Sequence, residues 1–304
     1  MKNLAFLKDT ANEYSCLLAF PLDAQTYLLS SLDRLCANEE SFGAFSDMLE
    51  EYDGSLACDI RANVIQMKSV SEKAGVHPLT GSMLLYLCML PRLRRYFEEK
   101  GIPDALFLAT VPDLLYKLTE CKLVDGVYGI SDGAAEGWYP NVFRCRTLTF
   151  ERLQFVFDRA DFECETDGVK IEKDTPVLHI HIPRTGTKID RESIAASYRA
   201  AADYFAPAFG ENPIIMTTRT WMFFPRHEEF LSPDSNMMQF YHDFQLVESG
   251  EYPDYSQVWR LFDCYYTGNP DDLPQNTSLR RAYADLIRRG EKTGWGRGVM
   301  IYKK

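Results

Sequence analysis

The chain has 304 residues, of which 46% are hydrophobic and 25% charged, the balance of a folded protein with room for two domains. With 44 acidic against 33 basic residues the net charge is −11, which argues against nucleic acid as a partner, since phosphate contacts need a basic face. No run approaches the roughly 20 apolar residues of a membrane span, and a small anionic ligand remains compatible only where positive charge is local.

The N-terminal MKNLAFLKDTANEY reaches charged residues too soon for a secretory leader. The eight cysteines are spread evenly with no CxxC pair, the pattern of reduced thiols in a cytoplasmic protein without a membrane partner. As far as about residue 125 the chain reads as helical, with apolar residues three and four apart in segments 23–38, 59–75, 79–101 and 103–123. Asp59 and Thr80 are candidate caps, Gly75 and Gly101 candidate stops, and Pro91 is expected to kink or split the third segment.

Near residue 126 the texture changes. Gly126, Gly129, Gly133 and Gly137 read as a linker, which divides the chain into a helical domain (1–127) and a strand-containing domain (128–304). Residues 146–157 are rich in β-branched and aromatic side chains, with a break or bulge at Glu151–Leu153, and Asp167-Gly168 signals a hairpin. Further strands are expected at 176–182, 213–220, 239–247 and 298–303, and helices at 255–264 and 277–289. Strands alternating with helices imply a sheet with ligand sites at the strand ends.

The stretch 178–205, LHIHIPRTGTKIDRESIAASYRAAADYF, is the most informative. Leu178, Ile180 and Ile182 alternate with His179 and His181 as in a half-buried strand, Gly186 marks a turn, and Asp190 caps a helix. A glycine turn opening a helix presents backbone N–H groups to an anion, and Arg184, Lys188 and Arg191 add charge there. His179 and His181 face the same way, which leaves three readings open. They are a metal pair completed by His242 or Asp243, a general base or substrate-orienting group, or hydrogen-bonded structural imidazoles. No matched ligand spacing supports a metal, so none is expected. Neither a Gly-x-Ser-x-Gly elbow nor an HExxH motif is present.

The second half resembles a family of bacterial acyltransferase-domain proteins that join an N-terminal helical domain to a GNAT-like C-terminal domain. The likeness rests on Arg152-Leu153-Gln154-Phe155, on His179-Ile180-His181-Ile182-Pro183 before the glycine turn, and on Trp221. It continues with Ser235-Asn236, Leu273-Pro274, and Thr277-Ser278-Leu279 with Arg281-Ala282.

The resemblance implies an α+β, two-domain protein: a helical N-terminal domain and a GNAT-like mixed α/β sheet domain. It implies that the turn Ile182, Arg184, Thr185, Gly186, Thr187 and Lys188 holds the pyrophosphate of acyl-CoA, a co-substrate rather than a permanently bound cofactor. The family's usual turn is Arg/Gln-x-x-Gly-x-Gly/Ala. Here the arginine-to-glycine spacing is one shorter.

On the same footing His181 is the expected base for an amine on a small-molecule acceptor, and Tyr241 or Ser235 the acid for the leaving thiolate. Arg152, Gln154, His179, Trp221 and Asn236 are expected around the substrates. The alternative is a catalytically inactive GNAT-like ligand-binding or scaffold protein, which the shortened turn favours. Oligomeric state is left open.

Overall fold

The computed structural model describes residues 3–303, which divide into two compact units between Leu148 and Thr149. In the first unit the helices Leu4–Leu17, Leu22–Ala37, Glu39–Gly54 and Ile60–Lys73 accompany a long helix, Pro78–Glu99. Asn3, Asn38 and Asp59 each accept the amide hydrogen of the residue three further on, so these starts are written in the sequence as caps. Every residue from Thr80 to Leu90 is buried. A helix apolar on all sides belongs in the middle of a bundle.

Pro91 lies within that helix without ending it. A proline in a helix costs about 3 kcal/mol, whereas each large buried apolar side chain contributes about 1.5–3 kcal/mol, and seven of them precede Pro91 between Met83 and Leu90. The segment expected at 103–123 is instead two helices, Asp104–Thr110 and Asp113–Val124, separated at Val111-Pro112.

The glycine-punctuated stretch near residue 127 is not where the units part. Gly133–Trp138 forms a π-helical turn and Tyr139–Phe143 a short helix. Both belong to the first unit because their aromatic residues sink into its core. The Tyr86 hydroxyl donates to the Ala135 carbonyl at 2.6 Å, Tyr52 donates to the Phe143 carbonyl at 2.8 Å, and the Tyr86 and Phe143 rings lie 4.6 Å apart.

The second unit is built on a six-stranded sheet. Its strands are β1 (Thr147–Phe150), β2 (Leu153–Arg159), β5 (Pro176–His181), β6 (Ile214–Thr220), β7 (Gln245–Glu251) and β8 (Gly294–Tyr302), while β3 (Cys164–Thr166) and β4 (Val169–Ile171) form a separate hairpin. The spatial order is β1-β2-β5-β6-β8-β7, mixed as expected, with β5 and β6 parallel and the pairs β2/β5, β6/β8 and β7/β8 antiparallel. The phase change at Glu151 is a turn: Glu151 has φ 51° and separates two strands. The strand expected at 239–247 is a helix, Asn236–His242, followed by β7; Ser235 caps it, accepting from the Met238 amide at 3.3 Å. None of the described helices is long and apolar enough to cross a membrane.

The helix Arg191–Phe209 covers one face of the sheet, where Phe205 and Phe209 meet Phe157. On this face Gly296 and Gly298 of β8 leave room for Phe223: a Cβ on Gly298 would stand 2.3 Å from its ring and 2.7 Å from Phe244 Cβ. The β3–β4 hairpin covers part of the other face, with Ile171 packed against Val177, Ile215 and Val299. A third cluster gathers Phe224, Phe262, Tyr283 and Leu286 around a fully buried His227. The His227 ring meets the Tyr283 hydroxyl at 2.6 Å and the Met222 carbonyl at 3.0 Å.

Two stability predictions follow from this packing. Gly298→Ala should destabilise the protein by about 1–3 kcal/mol through overpacking, whereas Gly43→Ala, whose Cβ meets open space on a helix, should stabilise it by about 0.5–1 kcal/mol. Denaturant unfolding of both variants checks the opposite signs. Desolvation lowers the His227 pKa from its ordinary 6.5 to about 4. The folded form therefore binds fewer protons than the unfolded one, so this contribution is present above pH 6.5 and is lost as pH falls toward 4. It is worth on the order of 3 kcal/mol, and His227→Gln should flatten the pH dependence of the unfolding midpoint between pH 7 and 4.

Candidate active site

The parallel ladder between β5 and β6 is short: Leu178↔Met216 and His179↔Thr217 are its only pairs in register. β5 continues to His181 and β6 to Thr220, so both strands run on past the last pair between them at their carboxyl ends. A gap between parallel strands at that end is a ligand position in open α/β sheets, and its edges suit an extended, amide-bearing ligand arm.

His181 stands at the mouth of this gap, opposite the buried Gln154 of β2. Register places Gln154, His179, His181 and Thr217 on the face that carries the β3–β4 hairpin. Desolvation lowers the His179 pKa, against the pull of the Asp158 and Asp161 carboxylates, which favours a neutral ring. His242 and Asp243 lie with the helix Arg191–Phe209 on the opposite face, where Asp243 accepts from Arg191 at 2.8 Å and from Tyr198 at 3.3 Å. They cannot complete a metal site with His179 and His181, and no group of three metal-ligating side chains is found among the described residues.

After His181 the chain turns through Ile182–Asp190 into the helix. Arg152 grips this turn from within the unit: its guanidinium donates to the Pro183 carbonyl at 2.8 Å and toward the Thr187 carbonyl at 3.5 Å, while its backbone N–H donates to Ser197 Oγ at 2.9 Å. Gly186 has φ 76°, the left-handed conformation that glycine adopts without strain, and a Cβ there would meet nothing. The Thr185 amide donates to the Pro183 carbonyl and the Thr187 amide to Thr185 Oγ. Asp190 accepts from the Ser193 amide at 2.9 Å, which lowers its pKa and puts a carboxylate at the helix N-terminus, so that position already holds an anion of the chain's own.

The basic side chains differ. Arg184 is paired with Asp263, which also accepts from Arg280 at 2.5 Å, and Arg191 is paired with Asp243. Lys188 is exposed and makes no ion pair among the described residues. Sequence reasoning missed Asp263 and Arg280. Asp263 sits at φ 63° after the short helix Trp259–Phe262, and only the tertiary fold brings it to the turn.

The remaining expected site residues stand apart from His181, although Asn236 lines a crevice with Ile189, Asp190 and Arg191 at the end of the turn. Trp221 stacks edge-on against His227 and Tyr283 in the third cluster. Asn236 is exposed on the first turn of the helix Asn236–His242, and Ser235 is its cap. Tyr241 is buried against Phe223 on the face opposite His181, where desolvation and the Glu228 carboxylate raise its pKa. The structure brings together Gln154, His179, His181, Arg152 and the turn, and does not bring Tyr241, Ser235 or Trp221 into that group.

The fold agrees with what comparison with known proteins shows. Residues 9–145 match the family model described as an N-acyltransferase N-terminal domain, and residues 148–300, half of the chain, match the model of a GNAT-like C-terminal domain. A search of curated proteins finds no match. Among solved structures, a mutant acyltransferase in complex with octanoyl-CoA superposes with TM-score 0.76 at 19% identity, covering 97% of this chain and 88% of that one. An acyltransferase in complex with decanoyl-CoA and teicoplanin superposes with TM-score 0.74 at 21% identity, covering 96% and 88%. At these identities the likeness is one of fold. Through its two matched domains, the chain belongs to the family that joins an N-acyltransferase N-terminal domain to a GNAT-like C-terminal domain.

Proposed function

We propose that the chain is a CoA-dependent acyltransferase that moves an acyl group from acyl-CoA to an amine of a small-molecule acceptor. The observation that carries this reading is the end of pairing between β5 and β6 beside a turn that leads straight into a helix. The gap suits the amide-bearing pantetheine arm, and the turn Ile182–Lys188 suits the pyrophosphate. Family membership supports the same reaction class, and the structural neighbours were solved with octanoyl-CoA and decanoyl-CoA. A cytoplasmic setting fits the eight cysteines, all of which are thiols.

In the reaction the acceptor nitrogen attacks the thioester carbonyl, an N–C bond forms, and the C–S bond breaks as the thiolate leaves. His181, at the mouth of the gap, takes the proton that the nitrogen loses, directly or through a water. Backbone N–H groups at the end of β5 stabilise the oxyanion, and Gln154 and His179 line the approach. Tyr241 packs on Phe223, across the sheet from His181, so this reading assigns it no part in protonating the thiolate. Asn236 lines a crevice with Ile189, Asp190 and Arg191 at the end of the turn, and Trp221 lines a second crevice with Tyr252 and Arg260. Arg152 serves the site by fixing the carbonyls of the turn.

Calorimetric titration with acyl-CoA from acetyl to decanoyl is the direct test, and binding of none of them would overturn the proposal. His181→Ala should lower kcat by about 10²–10⁴-fold while changing acyl-CoA affinity little. Lys188→Ala should weaken acyl-CoA by several-fold, since one screened charge contact contributes up to about 1 kcal/mol. Asp190→Asn keeps the cap and removes a negative charge beside the pyrophosphate turn; it should tighten acyl-CoA by about two- to fivefold.

A further inference from the structure

Two exposed arginines of the second unit lie on indole rings. The Arg219 guanidinium carbon is 3.6 Å from the centroid of the Trp295 ring, and that of Arg260 is 4.6 Å from the centroid of the Trp259 ring. Most arginines around them are tied to carboxylates: Arg184, Arg226, Arg280, Arg288, Arg289 and Arg297 all are. Arg219 and Arg260 make no ion pair among the described residues, although the chain carries 44 acidic side chains. Arg260 keeps only a hydrogen bond to Gln257, at 3.1 Å.

The two guanidiniums belong to one locality. Arg260 and Tyr252 line a crevice with Thr293 and Gly294, and Gly294 directly precedes the Trp295 that carries Arg219; burial raises the Tyr252 pKa and both arginines oppose it. Trp221 and Tyr283 line the same crevice. Gly250 lies against the Trp295 ring, where a Cβ would stand 3.0 Å from it. A guanidinium stacked on an indole is held in orientation and stripped of water on one side, while its in-plane N–H fork stays available. Such a fork matches a carboxylate in a bidentate pair.

The location ties this platform to the reaction. Arg219 follows Thr217 by two residues on β6, beyond the last pair with β5, and register puts it on the same face as His181. We infer that Arg219 and Arg260, stacked on Trp295 and Trp259, form the acceptor subsite and select an amine that also bears a carboxylate, such as an amino acid or the carboxyl end of a peptide. This rests on the acyltransferase reading, in which the acceptor nitrogen lies toward His181. Its carboxylate then lies toward Arg219, on the same side of the sheet.

The test uses a product-type ligand pair, N-octanoylglycine and its carboxamide, titrated calorimetrically into the full chain. The carboxylate should bind about tenfold more tightly than the amide. Arg219→Gln and Arg260→Gln should each bring the carboxylate down toward the amide while leaving octanoyl-CoA affinity unchanged. Arg219→Lys, which keeps the charge without the fork, should retain part of the preference. Equal binding of the pair, no binding of either at millimolar concentration, or a loss of octanoyl-CoA affinity in Arg219→Gln would each overturn the inference, the last by assigning the arginine to the CoA phosphates. Failure of the acyltransferase reading is distinct: the unsubstituted chain would bind no acyl-CoA.

Discussion

The site depends on one buried charge. Arg152 leaves β1 and β2 at their connection and spends its guanidinium on carbonyls of the turn after β5, while its own N–H is held by Ser197 on the following helix. A charged group out of water is tolerated only where hydrogen bonds replace its hydration, and here the replacements are backbone carbonyls that would otherwise be free to point outward. Drawing Pro183 and Thr187 carbonyls inward decides which side of the turn faces a ligand. The same residue thus couples the start of the sheet, the turn and the helix, beside the point where pairing between β5 and β6 ends.

The fold was largely legible because its signals are local. Alternation at 178–182, the Asp190 cap and the Asp167-Gly168 turn each fix a short stretch without help from the rest of the chain. Residues 239–242 read as strand in isolation because Phe240 and Tyr241 are β-prone, and only their convergence on Phe223 selects the helix. The glycines at 133 and 137 read as linker for a similar reason, since nothing local tells that Tyr139 and Phe143 will be buried. Arg152 was picked out by family likeness as a substrate residue, and its bonds to Pro183 and Thr187 could not be inferred from the sequence, because they bridge 31 and 35 positions.

The two faces of the sheet divide the labour. Helices, the Phe223 ring and the glycines of β8 make one face dense and apolar, and Tyr241 is committed there to packing. The other face carries the polar row Gln154, His179, His181, Thr217 and Arg219, with Arg297 beyond it stacked on Phe162 and paired with Asp161 and Glu248. Period-two alternation makes this separation automatic once register is set, because no residue can serve both faces. Under the proposed mechanism a proton donor for the thiolate would therefore come from the His181 face or from solvent.

If the chain is the acyltransferase proposed above, electrostatics constrains how so acidic a protein would hold a polyanionic donor. At a net charge of −11 the long-range field repels acyl-CoA, so attraction has to be short-range and oriented. Asp243 and Asp263 take the charge of Arg191 and Arg184 but fix their positions beside the turn, and Asp190 occupies the helix end. On the proposed reading, what remains for the pyrophosphate is the exposed Lys188 and the outward side of the turn. Backbone dipoles of this kind act over a few ångströms and lose little to salt at contact, whereas the repulsive field is screened within about 8–10 Å at physiological ionic strength. The local geometry of the turn, more than the charge of the chain, therefore sets whether acyl-CoA is held.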